Sequence, residues 1–327
     1  MHNFKKQQQM RKQLLIGILI LVLVNCRIYS MNLNLTQAVK FASIDKGKEL
    51  LTTEDEFTKC WSQFDIDSRL QKTNANKEDL FKYISKQYRE WSREEITKIN
   101  LILNYVDKTI SDRGYKITFP NEIYFIKTTT AEEGSAGGYT RANYVVLKED
   151  IMSMPETELR QVIIHELFHI LTRNNPEFKE KMYQVIGFKI INEISFPKSI
   201  KSFRITNPDA PKMDSYIKLK KDNKTVNCMM ILYSKKDYCG GSFFDYLRVG
   251  FIKLKDDNNN EFEVVNNRPV IIKFNEVSNF FEQVGNNTQY IIHPEEILAD
   301  NFAFAIENRQ GLPSQSIIDK IQSKLKE

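Results

Sequence analysis

Val162-Ile163-Ile164-His165-Glu166-Leu167-Phe168-His169-Ile170-Leu171 is the stretch whose reading decides the fold. Two histidines four residues apart flank a glutamate inside an otherwise unbroken apolar run. On an α-helix, positions i and i+4 lie about 40° apart around the axis and one turn along it, so both imidazoles can reach one metal ion. Glu166, roughly 100° round from His165, is left for chemistry. The chain has only 4 histidines in 327 residues, so composition does not account for the spacing. A helix with a purely structural role would also have to bury two imidazoles and a carboxylate among Ile163, Ile164, Leu167, Phe168 and Ile170. Such groups are costly to bury unless a metal or a partner satisfies them.

Zinc accepts neutral imidazole nitrogens, and a catalytic zinc site combines three protein ligands with one open position for water. The third ligand is not on the same segment: a following Gly and His would fall at positions 172 and 175, which hold Thr172 and Asn175. Far downstream, Tyr290-Ile291-Ile292-His293-Pro294-Glu295-Glu296-Ile297-Leu298-Ala299-Asp300-Asn301-Phe302-Ala303 reads as a helix start followed by Glu-x-x-x-Asp. Glu296, Ala299, Asp300 and Ala303 share one face of that helix, and the two alanines allow a close approach to the first.

These two motifs resemble those of the gluzincins, the thermolysin-like zinc metallopeptidases, in which His-Glu-x-x-His on one helix is completed by Glu-x-x-x-Asp on another. The resemblance covers two short stretches. It implies a zinc ion held by His165, His169 and Glu296, Glu166 as general base, and Asp300 orienting a ligand imidazole from outside. No histidine follows Glu296, so the donor to a developing oxyanion is left open between Tyr290 and His293. His293 is also an alternative third ligand. The implied fold class is α+β, a zincin-like catalytic core of a small sheet, an active-site helix and a second ligand helix. A helical N-terminal region and a β-rich insertion would be added to it.

The flanks fit that outline. Residues 115–119 and 122–127 are β-rich, and the run through Gly137 and Gly138 into 143–147 is strand-like. By the same resemblance, 136–146 would be the edge strand that pairs with a peptide substrate. Ser153 with Glu156 suggests a capping box, and Asn174-Asn175-Pro176 ends the helix. A second helix is expected over 178–188. The segments 216–220, 225–233, 247–255, 262–265 and 270–274 read as strands of an insertion spanning 200–275, and 204–211 reads as a turn. Upstream, 31–92 reads as helical, with Asn76 capping a helix over 77–91 and Ser92 with Glu95 opening the next. The metallopeptidase domain is placed at 93–327.

At the N-terminus, Lys5, Lys6, Arg11 and Lys12 precede an apolar run over 14–24, too short to span a bilayer and of signal-peptide length. Residues 1–26 are read as a signal peptide. Two fates are open: acylation of Cys26 as a lipoprotein, giving a membrane anchor, or cleavage after Ser30 and free secretion. Cys228 and Cys239 could then pair in an oxidising compartment. Residues 1–25 hold four of the 47 Lys and Arg and none of the 42 Asp and Glu, so without them the net charge falls from +5 to +1. No basic block remains to argue for nucleic acid. The expectation is an exported zinc metallopeptidase acting on peptide or protein substrates. The alternative is a catalytically inactive zinc-binding surface or scaffold protein of the same fold.

Overall fold

In the computed structural model, residues 34–327 are described, apart from 197, 256–259 and 267. The segment read from the sequence as a signal peptide, with Cys26 and Ser30, lies outside the described residues. Alternation of large apolar side chains builds the first sheet. Strand β1 (Val39–Phe41), β2 (Tyr88–Arg89), β3 (Ile123–Thr128), β4 (Gly138–Arg141) and β5 (Tyr144–Lys148) form it. β3 is parallel to β1 and to β5, β2 is antiparallel to β3, and β4 closes the edge antiparallel to β5.

Helices cover both faces. On one side Leu51 of α1 (Ile44–Thr52) and Leu80 and Ile84 of α3 (Lys77–Ile84) pack with Ile126, Tyr144 and Val146; α2 (Gln63–Leu70) lies between them in the chain. On the other side, α4 (Arg93–Arg113) brings Ile99, Ile102 and Val106 against Phe125, Val145 and Leu147, together with α5 (Glu156–Asn174). Odd and even positions of β3 and β5 thus serve different layers, as the pleat requires.

Helix α5 carries the opening motif. Ile163, Ile164, Leu167, Phe168, Ile170 and Leu171 are all buried, so it is apolar nearly all round, as an interior helix is. It is followed by α6 (Pro176–Val185). A second sheet comes next: β6 (Phe188–Ile190), β7 (Ser215–Lys221), β8 (Lys224–Tyr233), β9 (Arg248–Lys253) and β10 (Ile271–Ile272), an antiparallel series in chain order. Its Ile217, Cys228, Met230 and Phe251 join the main core, while Tyr216, Met229, Ile231 and Ile252 build a separate cluster. Two helices end the chain, α7 (Pro294–Ile306) and α8 (Gln315–Lys324). Ala299 and Ala303 of α7 are fully buried, and Phe302 meets Phe168 of α5 with ring centroids 5.3 Å apart. The architecture is therefore α+β, with small sheets and a helical N-terminal region.

Several local expectations need correction. Residues 115–119 are not a strand: Lys116 N–H donates to Leu325 O (2.6 Å), tying the segment to the C-terminal helix instead of a sheet. Ser153 does not cap α5. It sits in a short 3-10 turn with its Oγ donating to Asp150 O (2.6 Å), and Pro155, whose ring fixes φ, opens the helix. The segment 136–146 is a hairpin of two strands, with only Gly138–Arg141 at the edge. The helix expected over 77–91 ends at Ile84, and β2 follows within the region read as helical. Cys228 and Cys239 are both free: Cys228 is buried in β8 opposite Ile217, while Cys239 Sγ lies 3.1 Å from Tyr246 Oη. The capping box of Ser92 and Glu95 forms as expected, with Ser92 N–H donating to Glu95 Oε2 (2.7 Å) and Glu95 N–H to Ser92 Oγ (3.2 Å).

Candidate metal centre

Because α5 and α7 are both buried, every polar side chain between them has to find a partner. His165 Nδ1 contacts Asp300 Oδ1 at 2.8 Å, and its Nε2 lies 3.1 Å from Glu296 Oε2. His169 Nδ1 contacts Glu295 Oε1 at 3.2 Å, while its Nε2 faces the same Glu296 oxygen at 3.5 Å without a hydrogen bond. Both Nε2 atoms therefore point at one carboxylate oxygen. His165, His169 and Glu296 present ligand atoms within 4.8 Å of one another, close enough to hold a metal ion.

The outer contacts hold the imidazoles by their other nitrogens. Asp300 accepts from Thr288 Oγ1, and Glu295 accepts from Thr172 Oγ1 and from Tyr183 Oη (2.6 Å). Each histidine thus has its own carboxylate, fixing the ring orientation that leaves Nε2 inward. Burial disfavours a charge on His165, but Asp300 and Glu296 outweigh it and raise its pKa to about 10. His169 is raised in the same way, with Asp209, Glu296 and Glu295 overcoming burial. Burial would push Glu296 up, yet the two imidazoles hold it well below the usual carboxylate range. Carboxylates thus outnumber cations here, and the site favours added positive charge.

Glu166 is buried at 4 % exposure, and its Oε2 has no hydrogen-bond partner. Burial, reinforced by the Asp209 carboxylate, raises its pKa. It faces the edge strand so closely that a Cβ added at Gly138 would lie 2.8 Å from Glu166 Oε1. The glycine is there to admit the carboxylate, since its φ is one that any residue adopts. A cleft of about 400 Å³ opens over these groups.

Tyr290 reaches this cleft, with its ring centroid 6.2 Å from that of His165 and nearly half of the residue exposed. His293 does not line it. Its Nδ1 accepts from Glu295 N–H (3.2 Å) as the N-cap of α7, and burial lowers its pKa to about 4. The structure thus gives His293 a capping role and leaves Glu296 facing both imidazoles.

Three contributors were missed from the sequence. Glu295 was read as a helix-start residue, although an apolar helix forces both members of a Glu-Glu pair to be accounted for. Asn207 donates to Glu296 Oε1 (2.6 Å), and Asp209 lies within 4.8 Å of the ligand atoms of Glu166 and His169. Both sit on 204–211, the segment expected to be a plain turn, and no spacing in the sequence links it to α5. No family model, curated protein or solved structure matches the chain.

Proposed function

We propose that this chain is a zinc-dependent peptidase with a zincin-like core of the gluzincin type. The observation that carries the reading is the buried, unpartnered Nε2 of His169, which converges with His165 Nε2 on Glu296 Oε2. A buried ring nitrogen without a partner is costly, and a metal ion is the partner that this donor set fits. His165, His169 and Glu296 would hold the zinc, with Asp300 and Glu295 orienting the imidazoles. Bound there, zinc supplies Lewis acidity and makes water a stronger acid.

The remaining chemistry belongs to the chain. Glu166 offers an unpartnered carboxylate oxygen to take the proton of the attacking water and return it to the leaving amine. Gly138, on the outer edge of β4 beside it, can pair with the backbone of an extended peptide. Tyr290 stands at the cleft to donate to the oxyanion. The alternative of a non-catalytic zinc-binding scaffold leaves Glu166, buried and unpaired at Oε2, without a role.

The apolar run behind a basic N-terminus supports export, with Cys26 as the residue that would carry a lipid. Among the described residues no helix is long and apolar enough to cross a membrane. The test compares zinc content and peptide-library cleavage for the wild type and Glu166→Gln. One zinc per chain in both, with cleavage only in the wild type, is the expected result. Equal cleavage by both proteins, or no zinc in either, would remove the reading.

A further inference from the structure

Strand β4 has two residues whose backbone groups point away from β5, Gly138 and Thr140. The register fixes this: Lys148 N–H donates to Gly137 O (3.0 Å), so alternate positions 137, 139 and 141 bond to β5 and the others face outward. Asp209 has already taken the second of these. Its Oδ1 accepts from Thr140 N–H (2.6 Å) and from Thr140 Oγ1 (2.8 Å), and among the described residues no other donor reaches its carboxylate. Arg173 of α5 anchors this arrangement, donating to Asp209 O (3.0 Å), Pro208 O (3.3 Å) and Thr140 Oγ1 (3.0 Å).

An extended peptide lying on β4 therefore finds Gly138 open and Thr140 closed. It has to stop there. The end that stops meets negative charge: among the described residues Arg69 is the only Lys or Arg lining the cleft, and it is committed to Asp65 (2.7 Å) and Glu133 (2.7 Å), while Arg173 outside the lining is committed to Thr140 Oγ1 and the carbonyls of Pro208 and Asp209. A chain end carrying a carboxylate would be repelled, whereas an α-ammonium would be held. The spacing also fits: an α-nitrogen lies roughly 2.5 Å from the carbonyl carbon of its own residue, and the Asp209 carboxylate lies within 4.8 Å of the Glu166 and His169 atoms. Ile205, Leu232, Phe243, Phe244 and Ile292 line the same cleft and give it an apolar wall against which that residue's side chain would pack.

We propose that the enzyme is an aminopeptidase, with Asp209 binding the substrate's free α-ammonium and the cleft accepting an apolar first residue. This rests on the peptidase reading above. Water oxygen bonds to the first carbonyl carbon, the C–N bond to the second residue breaks, and the water proton passes through Glu166 to the departing amine. The products are one free amino acid and the shortened peptide.

The test uses the zinc-loaded protein with a leucyl anilide, its N-acetyl form, and an internally quenched peptide blocked at both ends. The free-amine anilide should be cleaved at least about 100-fold more efficiently than the other two. Asp209→Asn, which can still accept from Thr140, should raise KM for it by roughly 10- to 100-fold with zinc content unchanged. A second readout needs no turnover: Glu166→Gln protein should bind leucine amide more tightly than N-acetyl-leucine amide, and Asp209→Asn added to it should abolish the difference. Equal cleavage of blocked and free substrates, or faster cleavage of the blocked peptide by Asp209→Asn, overturns the proposal and leaves the peptidase reading intact. Zinc bound but no substrate cleaved, with wild type and Glu166→Gln alike, overturns both.

Discussion

Glu166 faces Gly138 with no room for a Cβ between them, and each residue can be altered by one group. Glu166→Gln keeps the shape and the hydrogen-bonding capacity but cannot accept a proton. Turnover should fall by about 10²–10⁴-fold while zinc content and melting temperature stay at wild-type values; retention of full turnover would exclude Glu166 as the base. Gly138→Ala acts from the other side. The added methyl would lie 2.8 Å from Glu166 Oε1, under the closest approach of ordinary contacts, so the carboxylate has to move. Because the backbone conformation suits alanine, the cost should appear as lost turnover more than lost stability. A kcat within twofold of wild type would show that Glu166 relaxes without consequence.

Helices α5 and α7 divide the labour between ligands and the groups that hold them. Asp300 fixes His165 and should matter for affinity, not for the existence of the site: Asp300→Ala should weaken zinc binding by about 10–100-fold in a chelator competition. Tyr183, from α6, supports Glu295 in the same fashion, and it is fully buried. Removing its hydroxyl in Tyr183→Phe should cost about 1–3 kcal/mol in denaturant unfolding, since Glu295 loses a donor it cannot replace with water. An unchanged midpoint would show that Thr172 and His169 suffice. The sequence made α5, Glu296 and Asp300 legible because helical spacing is a local property, and two motifs at spacings of four residues can be read without knowing the fold. Glu295, Asn207 and Asp209 were not legible for the opposite reason. Their roles come from packing α7 and the 204–211 segment onto α5, and contacts between residues some 40 to 130 positions apart leave no period in the sequence.

At the scale of the whole molecule, the proposed ion would join parts of the chain that the fold brings together only once complete. His165 and His169 lie in the middle of the chain and Glu296 near its end, with the second sheet between them, so the ligand set exists only in the folded state. Strand alternation made β7 to β10 readable, whereas β6 begins at the end of a segment expected to be helical, 262–265 pairs in a separate two-stranded ribbon, and the short β1 and β2, three and two residues long, were hidden within a region of helical pattern. A ligand that binds only the folded state stabilises it by mass action, by about 2.7 kcal/mol at a free concentration one hundred times Kd. Zinc added to chelator-treated protein should therefore raise the melting temperature by several degrees, roughly 2 °C or more for each kcal/mol in a chain of this size. His169→Ala should melt at one temperature with and without zinc. It should also start from a stability no higher than that of the zinc-free wild type, because the change leaves Glu295 Oε1 without its imidazole and opens a cavity between two buried helices. Equal zinc-induced shifts in the two proteins would place the ion somewhere other than between α5 and α7, and no shift in the folded wild type would leave the unpartnered Nε2 of His169 needing a different explanation.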